Sequence, residues 1–81
     1  MNVQILYFAS FRDGAGRGED RLTLPDGTTV ADLWNLLARE IPAFAAFPAM
    51  PPAAVNRAYV RADARLSDGD EVTFLPPVAG G

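Results

Sequence analysis

The sequence predicts an α+β fold, a mixed β-sheet with one main helix packed across it and an extended, flexible tail at the C-terminus. Three observations carry that expectation. Two strand-like runs, 3–8 and 21–24, open the chain; one helical pattern, 30–40, follows; two further strand-like runs, 54–60 and 71–75, close it. Eighty-one residues, 49% of them apolar and 21% charged, are enough for one small core and too few for two, and they are not the composition of a disordered chain.

Each element has its own reason. Val3-Gln4-Ile5-Leu6-Tyr7-Phe8 is rich in β-branched and aromatic residues and reads as a strand. Asp13-Gly-Ala-Gly-Arg-Gly18 reads as a turn or loop, and Arg21–Leu24 alternates as a short second strand forming a hairpin with the first. The three glycines of that loop superficially resemble a phosphate cradle. Such a cradle needs a helix directly after it, whereas here Glu19 and Asp20 follow and would repel phosphate. Pro25-Asp26-Gly27 signals a turn. Thr29 is an N-cap with Asp32 at the third helical position, and Val30, Leu33, Trp34, Leu37 and Ile41 recur on one helical face until Pro42 ends the helix. Trp34 reads as the core anchor of that face rather than a binding residue.

The connection from Ala43 to Pro52 is rich in Ala, Pro and Phe and too apolar for a wholly solvated loop, so Phe44 and Phe47 are expected to cap an open edge of the core. Ala54–Val60 reads as a third strand. Leu66-Ser-Asp-Gly-Asp70 is a turn into the last strand, Glu71–Leu75. The acids Asp68, Asp70 and Glu71 lack the twelve-residue ligand spacing of a calcium loop and read as turn formers. The compact solution to strand, strand, helix, strand, strand sets the last strand beside the first, in parallel, with the helix as crossover. That is the β-grasp, or ubiquitin-like, roll: a domain over 1–75 and an extended tail over 76–81.

The absences narrow the chemistry. There is no cysteine, so disulfides and thiolate metal sites are excluded; no histidine, the commonest general base and metal ligand; and no lysine, so all seven cations are arginine. Ser10 and Ser67 have no base to activate them. The chain is therefore not expected to be an enzyme by itself, nor to bind a metal or a cofactor. A net charge of −3 with no basic run argues against nucleic acid, and no stretch approaches a membrane span. The start of the chain has no signal-peptide character, so a cytoplasmic protein is expected.

What remains is the ending, Phe74-Leu75-Pro76-Pro77-Val78-Ala79-Gly80-Gly81. Prolines favour an extended path, and six residues from Pro76 reach at most ~20 Å, far enough to enter another protein's active site. Gly80 and Gly81 have no Cβ, so they thread a narrow channel and leave the last acyl carbon unhindered. Alternation places Val72 and Phe74, and Val3, Ile5 and Tyr7, toward the helix. Leu6, Phe8 and Leu75 are left as an apolar group on the opposite face beside the tail, which reads as a docking surface.

The ending from Asp68 to Gly81 resembles the small, sulfur-carrying subunits of molybdopterin synthase. So do Ala53-Ala-Val-Asn56 with the strand after it, and Tyr7-Phe-Ala-Ser-Phe-Arg12. The resemblance spans essentially the whole chain, and its specific part is Phe-x-Pro-Pro-Val-x-Gly-Gly. It implies that an adenylating partner enzyme uses ATP to convert the Gly81 carboxylate to an acyl-adenylate. A persulfide sulfur then replaces AMP, and the resulting glycyl thiocarboxylate is the active form. It implies a large subunit as partner, in a heterotetramer of two small and two large subunits. There the thiocarboxylate donates sulfur to the cyclic pyranopterin monophosphate precursor, building the dithiolene of the molybdenum cofactor. Gly81 carries the sulfur; Gly80 gives slenderness; Pro76, Pro77 and Val78 guide the tail. Phe8, Tyr59 and Leu75 fall where the family has apolar partner contacts, and Arg12 matches a family arginine. Leu75 departs from the aromatic common at its position. Three other readings stay open at this point: a sulfur carrier for thiamine or cysteine, a ubiquitin-like modifier joining Gly81 to lysines of targets, and a β-grasp binding module whose tail has no chemistry.

Overall fold

The computed structural model describes residues 1–76. Strand β1 (Asn2–Leu6) leads through a short helix α1 (Ala9–Ala15) into β2 (Glu19–Thr23); helices α2 (Val30–Glu40) and α3 (Pro42–Ala45) follow, and then β3 (Ala53–Val55), β4 (Ala58–Val60) and β5 (Glu71–Phe74). The five strands form one sheet in the order β2-β1-β5-β3-β4. β1 and β5 pair in parallel, Gln4 opposite Glu71 and Leu6 opposite Thr73, and every other pairing is antiparallel. The expected roll is the observed one: the last strand lies beside the first, in the middle of the sheet.

Helix α2 starts where its cap dictates. The Thr29 hydroxyl accepts from the Asp32 N–H at 3.1 Å, and the Asp32 carboxylate accepts from the Thr29 N–H at 3.0 Å, a reciprocal capping box. The N–H groups of Val30 and Ala31 donate to the Ala64 and Ala62 carbonyls, which ties the segment before β5 to the helix start. Val30, Leu33, Trp34, Leu37 and Ile41 face the sheet, and Val3, Ile5, Tyr7, Ala53, Val72 and Phe74 meet them from its inner face, all buried. At one end of this core the aromatics gather. Trp34 stacks on Phe44 with centroids 5.4 Å apart, Phe11 stacks on Phe47 at 5.0 Å, and Phe74 leans on Trp34 at 5.0 Å. Phe44 is fully buried and Phe47 half-buried, so the apolar connection closes the core edge as expected, partly through α3.

Two local expectations are corrected. The run 54–60 is not one strand but a hairpin, β3 and β4, turning at Asn56 and Arg57, whose φ values are 51° and 70°. Two successive left-handed residues make the two-residue turn whose twist suits a hairpin, and asparagine tolerates that conformation well. Asn56 also fastens the turn to β5: its Nδ2 donates to Asp70 Oδ1 at 2.9 Å, its Oδ1 accepts from the Glu71 N–H at 3.0 Å, and its own N–H donates to the Glu71 carbonyl at 2.8 Å. The second correction is α1. Much of the supposed glycine loop is helix, and only residues 16–18 connect it to β2. Gly16, at φ 73°, ends the helix with its N–H on the Arg12 carbonyl. Gly14 serves close approach instead of a turn: a Cβ there would sit 2.9 Å from Ala43 Cβ on α3.

Candidate partner-docking face and C-terminal stalk

β1 and β5, being parallel, end at the same edge of the sheet, the end that carries α1, α3 and the aromatic cluster. Pro76 leaves from that edge, so the segment before the tail stands over the most densely aromatic part of the core. Phe74, the last strand residue, is anchored against Trp34. Leu75 is held once more, its N–H donating to the Pro52 carbonyl at 2.8 Å. Leu75 and Pro76 are half-buried. The tail residues Pro77, Val78, Gly80 and Gly81 lie outside the described residues.

The outward face at this edge is ordered by register. Leu6 sits opposite Thr73, Thr73 opposite Ala54, and Ala54 opposite Tyr59, one row across four strands. Three strand spacings make that row about 14 Å long. Phe8 and Leu75 lie just beyond the ends of β1 and β5, at the same edge. Phe8 is 52% exposed and Tyr59 78%, the exposed large apolar side chains among the described residues. Leu6, Thr73 and Ala54 between them are half-buried. The structure therefore brings Phe8, Leu75 and Tyr59 onto one face beside the departing chain. Ala54 was not singled out in the sequence, because its direction depends on the hairpin turn at Asn56.

Charge frames the row on one side. Glu19 lies opposite Leu6 at the β2 edge and accepts from the Gln4 side-chain amide. Arg12 is placed differently: it is exposed on α1, with no side-chain bond among the described residues. Behind the sheet, the Tyr7 hydroxyl donates to Asp20 Oδ2 at 2.8 Å, and Arg17 holds the same carboxylate through Nε and Nη2 at 2.6–2.9 Å. Burial, and then the Asp20 carboxylate, push the Tyr7 phenol well above its ordinary range, so it stays neutral. Among the described residues no group of histidines, cysteines and acids is arranged to hold a metal ion, and no helix is long and apolar enough to cross a membrane. Among the described residues, what this face offers is apolar contact area beside Leu75 and Pro76.

The ThiS family model matches residues 5–81. The chain belongs to the ThiS family. A curated relative of this ThiS-family chain is the molybdopterin synthase sulfur carrier subunit of Chlamydomonas reinhardtii, 37% identical over 83 residues and covering all of both chains. Among solved structures, a Pyrococcus furiosus protein provisionally described as subunit 1 of molybdopterin converting factor is 34% identical. It superposes with a TM-score of 0.84 over 96% of this chain and 99% of that one. The small archaeal modifier protein 1 of Methanosarcina acetivorans is 26% identical, with a TM-score of 0.80 over 99% and 96%. The ubiquitin-like β-grasp fold read from the element order is thus the fold of its relatives.

Proposed function

We propose that this chain is the sulfur carrier and small subunit of a molybdopterin synthase, with the Gly81 carboxyl group as its working part. The observation that carries the reading is the full-length likeness to sulfur carrier subunits, together with an apolar face beside a stalk that continues into Pro77-Val78-Ala79-Gly80-Gly81. A terminal carboxyl group titrates near ~3.5 and is ionised in a cell, hence a poor electrophile. An adenylating enzyme would convert it to an acyl-adenylate with ATP. Persulfide sulfur attacks that carbon, AMP leaves, and a thiocarboxylate results. Its sulfur is the nucleophile that a chain without cysteine otherwise lacks. Phe8, Leu75 and Tyr59 dock the domain on the large subunit, Arg12 on α1 pairs with an acid of that subunit, and the tail carries the sulfur to the precursor. The large subunit supplies the basic groups for substrate phosphate and proton transfer, since this chain has neither lysine nor histidine. A heterotetramer of two small and two large subunits is the expected assembly.

Intact mass is the test. Incubation with ATP, the adenylating enzyme and a persulfide source is expected to exchange one oxygen for sulfur, and deletion of Gly81 to abolish the exchange without changing the unfolding midpoint. An unchanged mass, with the same enzyme active on another carrier, overturns the reading. The likeness to a small archaeal modifier supports a second reading, attachment of Gly81 to lysines of other proteins. Amide-linked conjugates in place of sulfur delivered to a pterin would favour it.

A further inference from the structure

All seven cationic side chains are arginine, at positions 12, 17, 21, 39, 57, 61 and 65, and all seven are exposed. Arginine outperforms lysine where a planar fork or a stacked guanidinium is needed. Among the described residues only Arg17 meets that condition, forking onto Asp20 and lying 5.9 Å from the Tyr7 ring centroid. Arg61 makes a single exposed contact of 3.5 Å with Asp63, which an ammonium would make equally well. Stability and packing thus give no reason for excluding lysine from the other six positions. Cysteine is absent too, so no thiol faces solvent anywhere on the chain. The Met1 ammonium is engaged by the Leu24 carbonyl at 2.8 Å and faces the Asp26 carboxylate at 3.8 Å.

The common property of the missing residues is nucleophilicity toward an activated acyl group. An amine attacking a Gly81 acyl-adenylate forms a C–N bond as the C–O bond to AMP breaks; AMP leaves with the electron pair and the amine proton goes to solvent. The same amine attacking a thiocarboxylate breaks the C–S bond and releases hydrosulfide, which takes the proton. Either reaction ends in an amide joining the tail to its own domain or to a second copy, and the sulfur is lost. Serine, threonine and tyrosine hydroxyls compete poorly, having no histidine or lysine to activate them.

We propose that the surface is kept free of amine and thiol nucleophiles so that an activated Gly81 cannot acylate its own kind, leaving the partner's groups as its only acceptors. This rests on the reading of Gly81 as a carrier. The test compares the natural chain with a variant carrying R39K, R57K, R61K and R65K, all at exposed positions. Both are charged with sulfur by the adenylating enzyme, ATP and a persulfide source, then freed of enzyme and followed by intact mass. The natural chain is expected to keep its thiocarboxylate, lost only by hydrolysis. The lysine variant should lose it severalfold faster, into hydroxylamine-resistant dimers or internal adducts lighter by one hydrogen sulfide. A control with glutamine at the same four positions should behave as the natural chain. Equal loss from the natural and lysine chains, with no amide adduct, overturns the inference and leaves the carrier reading intact. Failure of the natural chain to take up sulfur at all overturns both.

Discussion

Among the described residues, Asp20 is the carboxylate held by both a buried phenol and a guanidinium fork. It is half-buried, it accepts from the Tyr7 hydroxyl, and Arg17 grips it with a bidentate fork. The hydrogen bonds from Arg17 hold its carboxyl below the usual carboxylate range; partial burial opposes the shift and the Tyr7 bond reinforces it. Because the folded pKa lies below the unfolded one, the stabilisation is complete above about pH 4 and is lost as pH falls through the folded value. D20N is therefore expected to lower stability by about 1–2 kcal/mol at pH 7, and the gap should close as urea titrations are taken below about pH 4. A gap of constant size down to pH 2 would show that Asp20 acts through packing rather than charge. Tyr7 gives the opposite edge. Its phenol titrates above its unfolded value, so its contribution is present below about pH 10 and drains away as pH rises further.

At the scale of elements, α1 and α3 meet where Gly14 faces Ala43, and the sign of one substitution reports that contact. Alanine is favoured over glycine within a helix by up to ~1 kcal/mol, so G14A would stabilise a helix lying free. Against an Ala43 Cβ at 2.9 Å the added methyl must instead force the helices apart. G14A is expected to cost about 1–3 kcal/mol in denaturant unfolding, with A43G in the same chain recovering most of it. This contact also explains why α1 was not legible in the sequence. Its N-cap, Phe8, makes no side-chain capping bond, its interior holds a glycine, and its stability comes from burying Phe11 among Trp34, Phe44 and Phe47. Local chemistry pointed to a loop and tertiary packing decided otherwise. α2 was legible to the residue because its start is fixed by a cap within its own sequence. The β3–β4 hairpin was not, since seven residues of strand-like composition conceal a two-residue turn whose one local sign is Asn56. Leu6, Phe8 and Leu75 could be put on the outer face by alternation alone. Tyr59 came from family resemblance, and Ala54 only from the register.

For the molecule as a whole, one face of the sheet builds the core and the other, at a single edge, carries the exposed side chains of Phe8 and Tyr59, the face proposed to dock on the large subunit. These two roles are separable by measurement. Exposed residues contribute little to folding, typically within ±0.5 kcal/mol, whereas aromatic contacts at the centre of an interface often cost about 2 kcal/mol or more when truncated. Combined replacement of Phe8 and Tyr59 by alanine is expected to leave the urea midpoint nearly unchanged while weakening calorimetric affinity for the large subunit by about 30-fold or more. A large loss of stability, or an unchanged affinity, would remove this face from the docking assignment. If the proposed large-subunit cleft is basic, the net charge of −3 would add long-range attraction that added salt should diminish.

The parallel pairing of β1 with β5 has a consequence for how the protein is made. β5 emerges from the ribosome last, yet it is the strand that joins β2-β1 to β3-β4 and carries Val72 and Phe74 into the core. A nascent chain that still lacks residues 71–74 has two pairs of strands with no strand between them, and contacts so distant along the chain cannot close early. Gly80 and Gly81 follow within a few residues of that strand. Any copy that carries Gly80 and Gly81 has therefore already been given every strand its fold requires.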